Sequence, residues 1–252
     1  MSELAKTAQR ALHLLDLTDL GDECCAEDVR DLCARAQTPF GHVAAICIWP
    51  RFVTQARPIL VGTGIRIATV VDFPSGDGAT ADVFETTEQA VADGADEIDM
   101  VIPYKRLIEG HKGDVPAAVA RVRRAAGSAK VKAILETGIL AEADLIRQAA
   151  ECAIEGGADF IKTSTGKVPV NATPEAARVM LEVIAEAGRP VGLKPAGGVR
   201  TTEDAQIYLD LCDQIMGADW AGPETFRIGA SSVLGALLED LGAGPAAASG
   251  GY

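Results

Sequence analysis

Aromatic side chains make up only 4% of this 252-residue chain: two tryptophans, three tyrosines and six phenylalanines. That leaves little stock for the stacking platforms that bind bases. Positive charge is also short, with 23 Lys and Arg against 36 Asp and Glu and a net charge of −13. This balance disfavours nucleic acid or an anionic membrane as the main partner, so a phosphate-bearing ligand needs a local cationic pocket. Histidine is scarce as well. His13, His42 and His111 lie far apart and lack H-E-x-x-H spacing, so neither a metal nor another cofactor is expected. There is no G-x-S-x-G elbow, and no G-x-G-x-x-G follows a strand pattern. The triplet Thr165-Gly166-Lys167 is not a Walker A loop, because Ile161 stands where the upstream glycine belongs. No apolar run approaches the ~18 residues that span a bilayer, and the first residues lack the basic-then-apolar layout of a signal peptide. The six cysteines (Cys24, Cys25, Cys33, Cys47, Cys152 and Cys212) form no C-x-x-C pair. Reduced thiols in a cytoplasmic protein are the expectation.

What is present is alternation. Short β-branched runs occur at 43–48, 65–71, 96–102, 130–136, 158–164, 190–196 and 226–230, with a weaker one, Ala-Asp-Trp-Ala, at 218–221. Between them lie helical patterns at 80–93, 115–126, 142–155, 174–187 and 202–216. Thr173 before Pro174 reads as a helix start, with proline at the first helical position. Eight strands with helical crossovers predict an α/β fold, a parallel (β/α)8 TIM barrel, in preference to an open doubly wound sheet. Residues 1–241 are expected to form a single barrel domain. Within it, residues 1–40 are read as an N-terminal helical extension with helices at 3–15 and 26–36. Residues 242–252, rich in Gly, Ala and Ser, are read as a flexible tail.

The lysines are placed unevenly. From Ala133 onward only Lys162, Lys167 and Lys194 occur, each at or just beyond the end of an expected strand. Active sites of such barrels are built at that end. Lysine can become an amine nucleophile where arginine cannot. Strand parity puts Lys162 on one face with Phe160, and Lys194 on one face with Gly192, whose smallness leaves room beside a long side chain. Two ammonium groups roughly 5 Å apart repel by about 3 kcal/mol at an effective dielectric near 20. Such repulsion, with desolvation, favours a neutral amine able to attack a carbonyl. Asp99 shares its strand face with Glu97. It is either a proton relay or one half of an ion pair with Lys132 or an arginine. Two glycine-bearing turns, Pro195–Thr201 and Ile228–Ser232, lead into helices and suit a phosphate. Ser231 and Ser232 add hydroxyls, and Lys167 adds a charge.

FIKTSTGK, GLKPAGGVRT, GASS, ADEIDMVI, LLDLT at 14–18 and AAICIWPRF together resemble the deoxyribose-phosphate aldolases, a class I aldolase family, from about Ala11 to Leu241. The resemblance implies a lyase that cleaves 2-deoxy-D-ribose 5-phosphate reversibly to D-glyceraldehyde 3-phosphate and acetaldehyde. It implies Lys162 as the Schiff-base lysine, Lys194 as its charged neighbour and proton carrier, Asp99 as proton relay, and Asp16 as support for the lysines. It also implies that Gly166, Lys167, Gly197, Gly198, Gly229, Ser231 and Ser232 line a phosphate site. Some members end in a tyrosine that reaches the active site, a role that would fall to Tyr252. Trp49 and Asp72 depart from the family pattern at the mouth of the site, and Cys47 is expected near the pocket. Small sugar phosphates and aldehydes are the expected partners, and homodimerisation is left open. The alternatives are another Schiff-base sugar-phosphate aldolase or transaldolase, or a non-catalytic phosphosugar-binding barrel.

Overall fold

The structure, a computed structural model, describes residues 2–243. Eight parallel strands run β1 Leu15–Asp19, β2 Ala45–Ile48, β3 Arg66–Val71, β4 Glu97–Val101, β5 Lys130–Ile134, β6 Phe160–Lys162, β7 Gly192–Lys194 and β8 Ile228–Ala230. Each strand from β1 to β6 pairs with the next in sequence, and β1 also pairs with β8. Bridges from Leu193 to Phe226 and from Ala196 to Gly229 join the β7 and β8 segments, so the sheet closes into a ring. The expected barrel is therefore present.

Strand alternation splits the core in two. Outward residues such as Leu15, Ile46, Ile67, Ile98, Val131, Ile161, Leu193 and Ile228 are buried against the helices. Each such side chain contributes about 1.5–3 kcal/mol on burial. The inward faces carry Asp16, Cys47, Glu97, Asp99, Lys132, Lys162, Lys194 and, just ahead of β8, Arg227, all buried. Gly192 faces inward as expected, but the room it leaves is filled by the Phe160 ring, which a Cβ there would overlap. The space for Lys194 comes instead from Gly229, where a Cβ would lie 3.0 Å from Lys194 Cε.

Two sequence expectations are corrected. Residues 218–221 form no strand; the Trp220 amide turns back to donate to the Gly217 carbonyl at 3.1 Å. The eighth strand is β1, inside the segment 1–40 that was read as helical extension. Its inward Asp16 is charged, so the run Leu-Asp-Leu-Thr-Asp lacks the apolar signature of a barrel strand. The helix α1, Glu3–His13, precedes the barrel, started by Ser2, whose hydroxyl accepts from the Ala5 amide. The second expected helix, observed as Ala26–Arg35, lies on the crossover from β1 to β2. Tyr252 and the tail from 244 onward lie outside the described residues.

Candidate active site

The barrel interior is charged where a packed apolar filling is usual. At the bottom, Arg227 donates from Nη1 to Asp16 Oδ1 and from Nη2 to Glu97 Oε1, each at 2.7 Å. Its guanidinium also lies 5.8 Å from the centre of the Phe160 ring. Above it, Lys132 Nζ lies 2.6 Å from Glu97 Oε2, 2.7 Å from Asp99 Oδ1 and 3.7 Å from Asp16 Oδ2. Nearer the strand C-termini, Lys194 Nζ lies 2.6 Å from Asp16 Oδ2 and 2.8 Å from Asp99 Oδ2. Lys162 Nζ donates to the same Asp99 Oδ2 at 2.8 Å. Asp99 thus meets three ammonium groups, so the expected ion pair with Lys132 is present as one part of a wider network.

Charge follows from these contacts. Burial alone would raise the Asp99 carboxyl, but Lys132, Lys162 and Lys194 outweigh it and hold it well below the usual carboxylate range. Asp16 is lowered in the same way against its own burial by Lys194, Arg227 and Lys132, and Glu97 by Lys132 and Arg227. Burial works against the charged lysines too. Asp99 and Glu97 nevertheless raise Lys132, and Asp16 with Asp99 raises Lys194, above the ordinary lysine range. The network holds three carboxylates (Asp16, Glu97, Asp99) and four cations (Lys132, Lys162, Lys194, Arg227), a surplus of one positive charge. Lys132, Lys194 and Arg227 each meet at least two carboxylates; Lys162 meets Asp99 alone.

Lys162 is also the member of this network that opens on a cavity of about 460 Å³ at the strand C-termini. All seven residues expected at a phosphate site line that cavity: Gly166, Lys167, Gly197, Gly198, Gly229, Ser231 and Ser232. Asp16, Asp99 and Lys194 lie beneath it. Gly197 and Gly198 both have positive φ, at 81° and 90°, a backbone that glycine adopts freely and that lets a ligand approach closely. A Cβ on Gly197 would also lie 2.7 Å from Asn171 Cβ. Ser232 precedes the helix Val233–Asp240, whose free amides add partial positive charge. Lys167 Nζ pairs with the exposed Asp22 at 3.0 Å, a surface contact worth no more than about 1 kcal/mol and readily exchanged for a phosphate.

Sequence reasoning missed Arg227 in the network, and Thr18, Asn171 and Arg200 in the cavity wall. Parity within Phe226–Ala230 would have found Arg227, since a charged residue between apolar neighbours in a barrel strand faces inward. Cys47 is fully buried in an apolar patch with Leu20, Ala68 and Val70, and burial pushes its thiol up. Trp49 packs edge-on against Phe73 and donates to the Gly21 carbonyl at 3.0 Å. Asp72 accepts from the Gly78 amide at 2.7 Å and lines a separate cavity of about 400 Å³, which holds none of the lysines. Among the described residues no group of three His, Cys, Asp or Glu could hold a metal, and no helix is long and apolar enough to cross a membrane.

A closed barrel with a lysine–carboxylate network beneath an anion-accepting mouth defines an aldolase barrel. Residues 6–234 match the family model for "DeoC/LacD family aldolase". A deoxyribose-phosphate aldolase of Agrobacterium fabrum is 54% identical over 250 residues, 98% of this chain and 96% of that protein. A solved structure from Coccidioides immitis superposes with TM-score 0.83 at 31% identity, covering 92% of this chain and 86% of that one. The tetrameric deoxyribose phosphate aldolase of Aeropyrum pernix shares the fold, with TM-score 0.77 at 23% identity over 94% of this chain and 96% of its own. The chain belongs to the DeoC/LacD aldolase family.

Proposed function

We propose that this enzyme cleaves 2-deoxy-D-ribose 5-phosphate reversibly to D-glyceraldehyde 3-phosphate and acetaldehyde through a Schiff base on Lys162, in the catabolism of deoxyribonucleosides. The observation that carries the reading is the position of Lys162, a member of the buried network that lines the cavity. Neutral Lys162 Nζ attacks the C1 aldehyde, and the carbinolamine loses water to give an iminium. The substrate C3 hydroxyl gives up its proton, the C2–C3 bond breaks, and its electron pair passes into the iminium to leave an enamine. Glyceraldehyde 3-phosphate departs. Protonation at the enamine carbon and addition of water then release acetaldehyde and restore the amine.

Asp99 was expected to relay protons. Both its oxygens accept from ammonium groups and its carboxyl is held ionised, so we assign it the duty of orienting Lys162 and Lys194. Lys194 carries the mobile proton, and Asp16 keeps it charged. Lys167, Ser231, Ser232 and the amides around Gly166, Gly197, Gly198 and Gly229 receive the phosphate, whose binding orients the C2–C3 bond. Tyr252 is proposed to reach the site from the tail. Residues 1–241 act as one catalytic unit in the cytoplasm, on small sugar phosphates and aldehydes; a homodimer is compatible with this role.

Borohydride reduction in the presence of acetaldehyde tests the proposal. A reduced adduct on Lys162, found by peptide mass spectrometry, is expected. An adduct confined to another lysine, or none, overturns the mechanism. Products other than glyceraldehyde 3-phosphate and acetaldehyde would point to a different sugar-phosphate aldolase.

A further inference from the structure

Among the described residues four carboxylates are buried: Asp16, Glu97, Asp99 and Glu136. Three belong to the lysine network. Glu136, just after β5, does not, and it forms no ion pair with any described residue. Its partners are the Thr165 amide, 3.1 Å from Oε1, and the Thr165 hydroxyl, 2.6 Å from Oε2. A carboxylate removed from water without a cation is unfavourable unless hydrogen bonds compensate. Its backbone is unfavourable too. At φ 61° and ψ 55° it occupies the left-handed region, which glycine fills freely and glutamate does not. Two such features kept at one residue point to a requirement for that side chain.

The requirement shows in what Thr165 does. A hydroxyl has one proton and two lone pairs. Thr165 donates its proton to Glu136, which turns its oxygen toward the Lys167 amide; that amide donates to it at 3.0 Å. Two residues earlier, the Thr163 hydroxyl accepts from the Ala196 amide at 3.0 Å and ties the same loop to the glycine turn after β7. The loop is thereby pinned at both ends. Thr165, Gly166 and Lys167 line the cavity, whereas Glu136 does not.

We infer that Glu136 is a positioning residue for the phosphate end of the substrate. It touches no ligand and acts through Thr165 to hold the Lys167 amide and the root of the Lys167 side chain where a phosphate dianion is received. The inference rests on the substrate proposed above.

Glu136→Gln keeps an acceptor for the Thr165 amide but sets an NH2 group against the hydroxyl proton. The expected result is about a tenfold rise in KM for 2-deoxyribose 5-phosphate, the size of one lost charge-assisted hydrogen bond. The ratio of kcat/KM for phosphorylated over unphosphorylated 2-deoxyribose falls by the same factor. Thr165→Val reproduces that fall, and Thr165→Ser keeps the parent's ratio; this pair decides the matter even if Glu136→Gln does not fold. Equal losses on both substrates, or an unchanged ratio, overturn the inference. If the parent does not cleave the 5-phosphate, it is the substrate reading that fails. Calorimetric binding of inorganic phosphate to parent and Thr165→Val then tests the loop alone, and an unchanged Kd overturns it.

Discussion

Lys162 and Lys194 donate to one and the same oxygen, Asp99 Oδ2, each at 2.8 Å. Bare repulsion between two such ammonium groups would be about 3 kcal/mol at 5 Å and a dielectric near 20. A shared carboxylate offsets most of that. What distinguishes Lys162 is then the charge count of the whole network: four cations for three carboxylates, with Lys162 holding the fewest partners.

Lys194→Met tests that count. It leaves three cations on three carboxylates and removes the ammonium group that shares Asp99 Oδ2 with Lys162. Activity should fall by roughly 10²–10⁴-fold, the usual worth of a positioned proton carrier, and the pH optimum should move upward. A pH–rate profile with the parent's shape would refute the role of the surplus charge.

Asp99→Asn removes the carboxylate that meets three ammonium groups. Four buried cations then face two carboxylates. A loss of about 3–5 kcal/mol in unfolding free energy is expected, as for a buried pair stripped of one partner. Urea denaturation at neutral pH measures it, and a loss below about 1 kcal/mol, the level of a surface pair, would be the contrary result.

The network also sets a pH window for stability. Asp16, Glu97 and Asp99 are lowered in the folded protein, so their contribution is fully present above the ordinary carboxylate pKa near 4 and is lost as pH falls below it. Lys132 and Lys194 are raised, so theirs is fully present below about 10.4 and is lost as pH rises beyond it. Unfolding free energy should therefore hold level through neutral pH and drop on both sides. Denaturation curves that show greater stability at pH 3 than at pH 7 would contradict the assignment.

Gly192→Ala places a methyl group in the Phe160 ring. Overpacking of this kind costs about 1–3 kcal/mol, read as a lowered Tm. Adding Phe160→Leu should recover part of the loss, because the obstacle has shrunk. A double variant no better than the sum of its parts would show that the two residues do not meet.

The barrel was legible from its outward faces. Seven runs rich in Val, Ile and Leu became strands because those residues face the helices, whatever lies inside. β1 escaped notice because its inner side bears Asp16, and Ala218–Ala221 misled because a short run containing a tryptophan resembles a strand. The phosphate cavity was readable from glycines and a lysine just past strand ends, since those positions share one rim. Parity alone marks Arg227 as inward-facing, but its partners and the cross-network around Lys132 were hidden, because only ring closure brings β1, β4, β5 and β8 to a common axis. Glu136 gave no signal at all, since a left-handed glutamate looks like any other in a sequence.

β1 and β8 are neighbours, with Leu15 opposite Ile228 and Leu17 opposite Ala230, and Arg227 at the entry to β8 neutralises Asp16 on β1. A chain made from its N-terminus carries Asp16 for more than two hundred residues before that partner exists. The seam therefore forms last, at the cost of closing a long loop. Until it does, Asp16 and Glu97 lack Arg227, although the lysines of β5, β6 and β7 already reach the carboxylates of β1 and β4. An interrupted chain cannot hold the finished centre: the event that completes the ring also brings in the fourth cation and, with it, the surplus of positive charge.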